Sequence, residues 1–237
     1  MPVEGLVNML VLVDLDDTLC NTWDAGKRTM LRLIPILIRR RKLKAFFYIA
    51  TARYRELEQS KELHMMDFDK ILERVLSKVY SDISPADLEE MVNLVDRIFF
   101  SELRLFPDAV PFLEGVKSMG AKLVLITDSS SKWQRKKLEY LGIRSYFDGV
   151  IISGETGHSK LEPHNFRLAK RMFPDDEVYV VGDRDDTDMA GGKAINATTI
   201  MVRRGYFGGR HSRHADYTVG SLLGALEVIR REHQKRA

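Results

Sequence analysis

The sequence has little of what marks several other protein classes. Cys20 is the one cysteine in 237 residues, which excludes an internal disulfide framework and a cysteine-based zinc site and favours a reducing compartment. No run reaches the roughly 18 apolar residues that a membrane-spanning helix needs. The N-terminus also lacks a basic region followed by an apolar stretch and a cleavage site. We therefore expect a cytoplasmic protein with no membrane partner.

A large excess of charge is also absent. A net charge of +3 favours small anionic substrates but is too small to indicate nucleic-acid binding. The basic run RRRKLK, residues 39–44, lacks interleaved aromatic residues and is typical of the last turn of a helix, where cations are favourable. We therefore do not expect a nucleic acid as partner. Glutamine and asparagine are scarce while 30% of residues are charged, a balance typical of thermophilic proteins.

Short apolar runs recur along the chain and end in turn or polar residues. Their length, β-branched content and lack of alternation predict strands that are covered on both faces, hence a parallel sheet. These runs are MLVLVD, AKLVLITD, GVIISGE, EVYVVGD and TTIMVRR. Helical patterns lie between them, among them PDAVPFLEGVKSMG and SSSKWQRKKLEYLG, which end at Gly120 and Gly142. The fold class is therefore α/β with a doubly wound parallel sheet.

The segment before Pro107 has helical periodicity and no convincing strand after the first one. SPADLEEMVNLVDRIFFSEL predicts a helix capped by Ser84, and RTMLRLIPILIRRRKLK predicts another that Pro35 bends or interrupts. We therefore predict an α/β core domain over residues 1–19 and 106–237, with a helical cap domain inserted over residues 20–105. An apolar content of 44% is enough to form a sizeable core.

Three aspartates crowd into DLDDTL directly after the first strand: Asp14, Asp16 and Asp17. Like charges repel and their burial is costly, so the carboxylates are either solvated in a loop or gathered around a cation. Taken alone, such a stretch is most often a turn that leads into a helix. A second acidic stretch, GDRDDTD, carries Asp183 and Asp188 after a later strand. It loosely resembles a calcium loop, but the preceding strand and the missing terminal glutamate count against that reading.

Ligands of parallel α/β sheets bind outside the carboxyl ends of the strands. This rule brings both acidic stretches together with Thr127, which closes the strand in LVLIT, and with Lys160 in GHSKLEPHNF. The predicted site therefore offers carboxylates, a hydroxyl and an ammonium.

This set of motifs resembles that of the haloacid dehalogenase superfamily, a group of mostly magnesium-dependent phosphohydrolases. The family motif DxDxT is matched by Asp14, Asp16 and Thr18, the hydroxyl that closes the next core strand by Thr127, and the acidic pair by GDRDDTD. The family lysine is matched by Lys160, which is followed by leucine instead of the common proline, so Lys132 stays open as the alternative. The match extends over most of the chain outside the helical insert.

The resemblance implies a Rossmann-like core and a division of work among the site residues. Asp14 would attack phosphorus, and Asp16 would serve as acid and base, while Thr127 and Lys160 would hold phosphoryl oxygens. We expect the acidic neighbours of Asp16 to raise its pKa, because it must start protonated.

The resemblance also implies a metal. Mg²⁺ would be bound by the Asp14 carboxylate, the backbone carbonyl of Asp16 and the Asp183 carboxylate, with Asp188 binding it directly or through water. The crowded carboxylates are then explained by the cation that they share.

We therefore predict an enzyme that hydrolyses a small phosphorylated metabolite with Mg²⁺ through an aspartyl-phosphate. A phosphomutase would use the same residues, whereas a haloacid dehalogenase of this superfamily lacks the counterpart of Asp16, because halide leaves without a proton. Outside enzymes, the alternatives are a phospho-receiver or a nucleic-acid-binding module that has kept the fold. A receiver lacks so large an insert after its first strand. Nothing in the sequence indicates an oligomeric state.

Overall fold

The computed structural model describes residues 9–40, 68–80, 83–174 and 177–236. Within them lies one six-stranded sheet in which all neighbouring strands are parallel, in the order β3-β2-β1-β4-β5-β6. The strands are β1 (Met9–Val13), β2 (Lys122–Thr127), β3 (Gly149–Ile152), β4 (Glu177–Gly182), β5 (Thr198–Val202) and β6 (Tyr217–Val219). Strands β2 and β3 lie on one side of β1, and β4, β5 and β6 lie on the other. The predicted doubly wound α/β sheet is therefore confirmed.

Seven helices of nine residues or more are found in the described ranges. They are α1 (Thr22–Arg39), α2 (Phe68–Val79), α3 (Pro85–Glu102), α4 (Ala109–Ser118), α5 (Ser131–Tyr140), α6 (His164–Met172) and α7 (Leu222–Gln234). Shorter helical turns cover Arg144–Tyr146, Ser153–Thr156, Asp185–Met189 and Ala190–Lys193. None of the described helices is long and apolar enough to cross a membrane.

Strand β1 is buried on both faces because helices cover both sides of the sheet. Its odd-numbered residues Met9, Val11 and Val13 belong to a core that includes side chains from α4, α5 and α7. Its even-numbered residues Leu10 and Leu12 belong to a second core with side chains from α6. The absence of polar alternation in the first apolar run thus reflects two cores on opposite sides of the strand.

The three helices described between β1 and α4, namely α1, α2 and α3, share a cluster of buried side chains. Ser84 caps α3 by accepting a hydrogen bond from the backbone N–H of Asp87, at 3.1 Å. The cluster comprises Leu33 and Leu37 of α1, Leu76 of α2, and Met91, Val92, Val95 and Ile98 of α3. The spacing of the α3 members is that of one helix face, as the sequence predicts.

Helix α1 differs from its sequence prediction at its start. It begins at Thr22, ahead of the predicted pattern, and Pro35 lies inside it. Arg39 is its last residue, and the Arg40 guanidinium donates to Glu90 at 2.6 Å. The rest of the basic run and the predicted continuation of the helix, residues 41–44, lie outside the described residues.

Candidate active site

Carboxylates from distant parts of the chain meet at the carboxyl ends of β1 and β4, which are neighbours in the sheet. Asp14 follows β1 directly and Asp183 follows β4. One oxygen from each of Asp14, Asp183 and Asp188 lies within 4.8 Å of the other two, and all three side chains are buried. We call these three residues the acidic triad. The gathering predicted from the strand ends is thus observed for these residues.

Asp188 reaches the triad through close packing against the end of β4. It lies in the π-helical turn Asp185–Met189, and its Oδ2 accepts a hydrogen bond from the backbone N–H of Arg184 at 3.2 Å. A Cβ atom on Gly182 would lie 2.4 Å from Asp188 Cγ. Only a residue without a side chain leaves room for Asp188 at this position.

Lys160 lies against the triad and is buried. Its Nζ donates to Asp14 Oδ1 at 2.5 Å and to Asp188 Oδ1 at 2.7 Å, and its backbone N–H donates to Asp128 Oδ1 at 2.9 Å. Lys132, the alternative left open by the sequence, is exposed near the start of α5. The geometry therefore favours Lys160 as the lysine of the site.

The charges of the site are not balanced by the described side chains. Burial raises the pKa of Asp14, and Asp188 and Asp16 add to the effect against the opposing charge of Lys160. Burial also raises the pKa of Asp183, reinforced by the charges of Asp14 and Asp188. For Lys160, burial lowers the pKa, but the neighbouring carboxylates outweigh it and the net shift is upward.

These electrostatics fit a divalent cation. Three carboxylates and one ammonium leave the acidic triad with an excess of negative charge, and the Asp183 side chain is buried. A buried, oxygen-only donor set with excess negative charge is the environment that hard divalent cations prefer. The residues present therefore suit such an ion.

Asp16 is held apart from the triad by donors on both carboxylate oxygens. Oδ1 accepts from Lys137 Nζ at 2.6 Å and from the Thr22 hydroxyl, and Oδ2 accepts from Gln134 Nε2 at 2.7 Å. Burial acts to raise the pKa of Asp16, but the Lys137 charge and these hydrogen bonds outweigh it and hold the pKa below its ordinary value. The expectation of a raised pKa is therefore wrong for this arrangement. Sequence reasoning counted acidic neighbours and did not include a buried lysine.

Thr127 ends β2 with its side chain fully buried. Its Oγ1 accepts a hydrogen bond from Gln134 Nε2 at 2.6 Å. Helix α5 begins four residues later, capped by Ser130, whose hydroxyl accepts from the backbone N–H of Trp133. Thr127 thus lies at the same edge of the sheet as Asp14, on the neighbouring strand.

The loop from Asp14 to Cys20 is wound tightly by its own backbone. The N–H groups of Leu19 and Cys20 both donate to the carbonyl of Leu15, at 2.9 and 3.2 Å. The Thr18 hydroxyl donates to Asp14 Oδ2 at 3.3 Å. Cys20 is fully buried, its Sγ lies 3.5 Å from the Leu15 carbonyl oxygen, and burial raises the pKa of its thiol.

Asp17 has a structural part in this loop. It adopts a φ of 55° and accepts hydrogen bonds from the backbone N–H groups of Trp23, at 2.8 Å, and Tyr206, at 3.5 Å. Burial raises its pKa to about 6. Of the three crowded aspartates, Asp14 enters the triad, Asp16 faces α5, and Asp17 ties the loop to two neighbouring segments.

Gln134 and Lys137 were missed by sequence reasoning although both reach Asp16. They lie in SKWQRKKLEY, where five of ten residues are basic or amide side chains that look like a solvated helix surface. Both are nonetheless buried, because that face of α5 packs over the end of the first strand. Only their spacing of three residues, which places them on one helix face, hints at a shared contact.

Comparisons with known proteins agree with this geometry. The family model described as haloacid dehalogenase-like hydrolase matches residues 9–196. The chain is 30% identical over 184 residues to the glyceraldehyde 3-phosphate phosphatase of Methanopyrus kandleri, covering 75% of this chain and 78% of that protein. It is 32% identical over 155 residues to the phosphoserine phosphatase of Thermus thermophilus, covering 63% of this chain and 61% of that protein.

A solved structure shares the fold. The crystal structure of a HAD phosphatase from Thermococcus onnurineus superposes with a TM-score of 0.67 at 24% identity, covering 93% of this chain and 97% of that one. The similarity extends over nearly the full length of both chains.

Proposed function

Because the chain belongs to the haloacid dehalogenase-like hydrolase family and is a phosphatase of that family, we propose that it hydrolyses small phosphomonoesters with Mg²⁺ through an aspartyl-phosphate on Asp14. One observation carries the proposal: Asp14 lies in a buried triad beside Lys160, while Asp16, two residues later, is held on a separate set of donors. This arrangement separates a nucleophile from an acid/base group.

The acidic triad is the proposed metal site. Asp14, Asp183 and Asp188 would hold Mg²⁺ together with the backbone carbonyl of Asp16. The ion would supply the positive charge that lets an anionic phosphate ester approach a carboxylate nucleophile. Magnesium is proposed over softer metals because the triad offers oxygen donors alone.

The chain's own residues account for both half-reactions. In the first, an Asp14 oxygen bonds to phosphorus, and the bond from phosphorus to the leaving oxygen breaks as that oxygen takes a proton from Asp16. Asp16 must gain this proton when the anionic substrate binds, because Lys137 and the hydrogen bonds lower its pKa in the structure described here. In the second, a water molecule gives a proton to Asp16 as its oxygen bonds to phosphorus. The bond between phosphorus and the Asp14 oxygen breaks, which frees Asp14 as a carboxylate and releases inorganic phosphate. Lys160 and the Thr127 hydroxyl would bind the phosphoryl oxygens, since both end at the same edge of the sheet.

We further propose that residues 20–105 form a cap over this site and that residues 1–19 and 106–237 form the core. The support is the separate apolar cluster shared by α1, α2 and α3. At its far end α3 contacts the core, where Phe99 and Phe100 pack on Trp133 of α5 at ring-centroid distances of 5.2 and 5.1 Å. A cap that closes over bound substrate would exclude bulk water from the first half-reaction.

The experiment is a phosphate-release assay on the purified chain, with p-nitrophenyl phosphate and a panel of phosphorylated metabolites. We expect turnover that requires Mg²⁺, stops with EDTA and returns when Mg²⁺ is added in excess. Asp14→Asn should abolish turnover, whereas Asp24→Asn, an exposed aspartate of α1 paired with Lys27, should leave it unchanged. Turnover that survives EDTA or Asp14→Asn would remove the mechanism.

The same assay separates the remaining alternatives. A phosphomutase would convert a sugar phosphate without accumulating inorganic phosphate, whereas a phosphatase releases it in proportion to substrate consumed. A dehalogenase would release halide from a haloacid. Asp16, fixed by three donors at the site, favours phosphoryl transfer over dehalogenation, because only an alkoxide leaving group needs its proton.

A further inference from the structure

Two polar side chains of α5 are buried beside the site and have no part in the reaction proposed above. Gln134 is 0% exposed and Lys137 is 2% exposed. They stand three residues apart, so they project from one face of the helix. Lysine and glutamine are rarely buried this completely unless they are paired.

Both side chains donate hydrogen bonds to the Asp16 carboxylate. Lys137 Nζ donates to Asp16 Oδ1 at 2.6 Å, and Gln134 Nε2 donates to Asp16 Oδ2 at 2.7 Å. The Thr22 hydroxyl also donates to Oδ1, so three contacts on two oxygens fix the rotation of the carboxyl group as well as its position. Of these three donors, Lys137 is the charged one.

Gln134 also links Asp16 to a second predicted site residue. Its Nε2 lies 2.6 Å from Thr127 Oγ1 and 2.7 Å from the backbone carbonyl oxygen of Asp128. One amide group thus connects Asp16, the proposed acid and base, with Thr127, whose hydroxyl is proposed to bind a phosphoryl oxygen. Both groups contact the same nitrogen atom, so the position of that nitrogen sets their separation.

The surroundings of Lys137 are apolar. Its ammonium lies 5.8 Å from the ring centroids of Phe99 and Trp133, which come from α3 and α5. A cation in such a place loses hydration, and only a close anion compensates the loss. The contact with Asp16 supplies that anion, and it is less screened here than it would be at the surface.

We infer that Lys137 and Gln134 are positioning residues that hold the Asp16 carboxyl group in the orientation from which it transfers protons to and from the substrate. The inference rests on the proposed function. Neither residue touches the reacting atoms; each acts through Asp16. Lys137 holds Asp16 Oδ1. Gln134 holds Asp16 Oδ2 and contacts Thr127 with the same nitrogen.

The inference predicts a dependence on the leaving group. An alkoxide is a strong base and needs a proton from Asp16 as it departs, whereas p-nitrophenolate is stable without one. Mispositioning of Asp16 should therefore slow transfer from an alkyl phosphate to Asp14 and spare transfer from p-nitrophenyl phosphate. The second half-reaction needs Asp16 as a base for either substrate, so the first must be measured separately.

The experiment compares Lys137→Met and Gln134→Met with wild type in rapid-mixing kinetics. For p-nitrophenyl phosphate we expect the burst of p-nitrophenolate to keep its rate. For the best alkyl phosphate of the wild-type chain we expect the rate of the alcohol burst, which reports transfer to Asp14, to fall about 100-fold in Lys137→Met, at the low end of the contribution of general acid catalysis. Lys136→Met is the matched control, because Lys136 is adjacent in sequence but binds Asp96 at the surface.

The outcomes are distinct. Equal losses with both leaving groups in the burst phase indicate a merely structural role and overturn the inference, as does the absence of any loss. Should Lys137→Met fail to fold, as judged by its thermal transition, Gln134→Met decides by the same criteria. If wild type releases no phosphate from any ester, the proposed function fails and takes the inference with it.

Discussion

Replacing Gly182 with alanine would place a methyl group where the Asp188 side chain now lies. Gly182 is the last residue of β4, directly before Asp183. The added Cβ would lie 2.4, 2.5 and 2.6 Å from Asp188 Cγ, Oδ2 and Cβ. Rotation of the Asp188 side chain about χ1 leaves its Cβ in place, so the 2.6 Å contact with Cβ cannot be removed without moving the backbone of the π-helical turn.

The size of the effect follows from these distances. Ordinary contacts begin near 3.4 Å, so Asp188 must withdraw by about 1 Å, and a displacement of that size at a reacting site costs about 100-fold in rate. It also breaks the contacts of Asp188 with Lys160 Nζ and the Arg184 N–H, at 2.7 and 3.2 Å. The overpacking itself should destabilise the fold by about 1–3 kcal/mol.

The assays are Mg²⁺-dependent phosphate release and thermal unfolding. We expect Gly182→Ala to lower kcat about 100-fold and to raise the Mg²⁺ concentration for half-maximal activity about tenfold. The melting temperature should fall by about 2–4 °C for each kcal/mol lost. Gly26→Ala is the matched control: it lies in α1 with nothing within 4 Å of an added Cβ, so it should keep full activity and gain about 0.5–1 kcal/mol.

One result would refute the reasoning. If Gly182→Ala showed the kinetics and Mg²⁺ dependence of wild type, the close approach of Asp188 to the end of β4 would have no bearing on the site. The acidic triad would then not be where the metal acts.

Two further predictions concern stability. Asp108 is bound by Arg204 at 2.6 Å and by the Leu222 N–H at 2.8 Å; burial acts to raise its pKa, but these contacts outweigh it and lower the pKa. Asp108→Asn should therefore cost about 2–3 kcal/mol near neutral pH, and the difference from wild type should vanish as the pH falls through the lowered pKa, because that stabilisation exists only while Asp108 is ionised. Urea unfolding at several pH values tests this, with exposed Asp24→Asn as control, and a difference that grew on acidification would contradict it. Ser84→Ala removes the cap of α3 and should cost about 1 kcal/mol, whereas Ser84→Asn should retain it; equal melting temperatures for the two variants would argue against the cap.

The sheet and the acidic triad were predictable because they depend on rules that act along the chain. Five apolar runs became β1 to β5, and the rule that parallel strands end at one edge brought Asp14 and Asp183 together. β6 was missed because it has three residues that lie at the sheet edge, none of them buried. Helix α7 was not predicted, although the sequence carries its signals: Ser221 caps it, and its buried residues recur at helical spacing.

The surroundings of Asp16 were not predictable in the same way. A lysine 121 positions later contacts this aspartate, and no local pattern distinguishes Lys137 from its exposed neighbour Lys136. The downward shift of the Asp16 pKa comes from the charge of Lys137 together with the hydrogen bonds of Lys137, Thr22 and Gln134. The catalytic and metal-binding roles of the site residues, the boundaries of the cap, and the thermophilic and cytoplasmic character indicated by composition stay predictions.

Cys20 makes the chain convenient for site-specific labelling. Its sulfur is shut off from solvent and its raised pKa keeps it in the unreactive thiol form. A cysteine introduced at an exposed position, such as Ile38 on α1 or Tyr140 on α5, would therefore react with a maleimide dye, whereas Cys20 would not. Pairs of such dyes would report the separation of α1 from α5 in solution, with the native cysteine left in place.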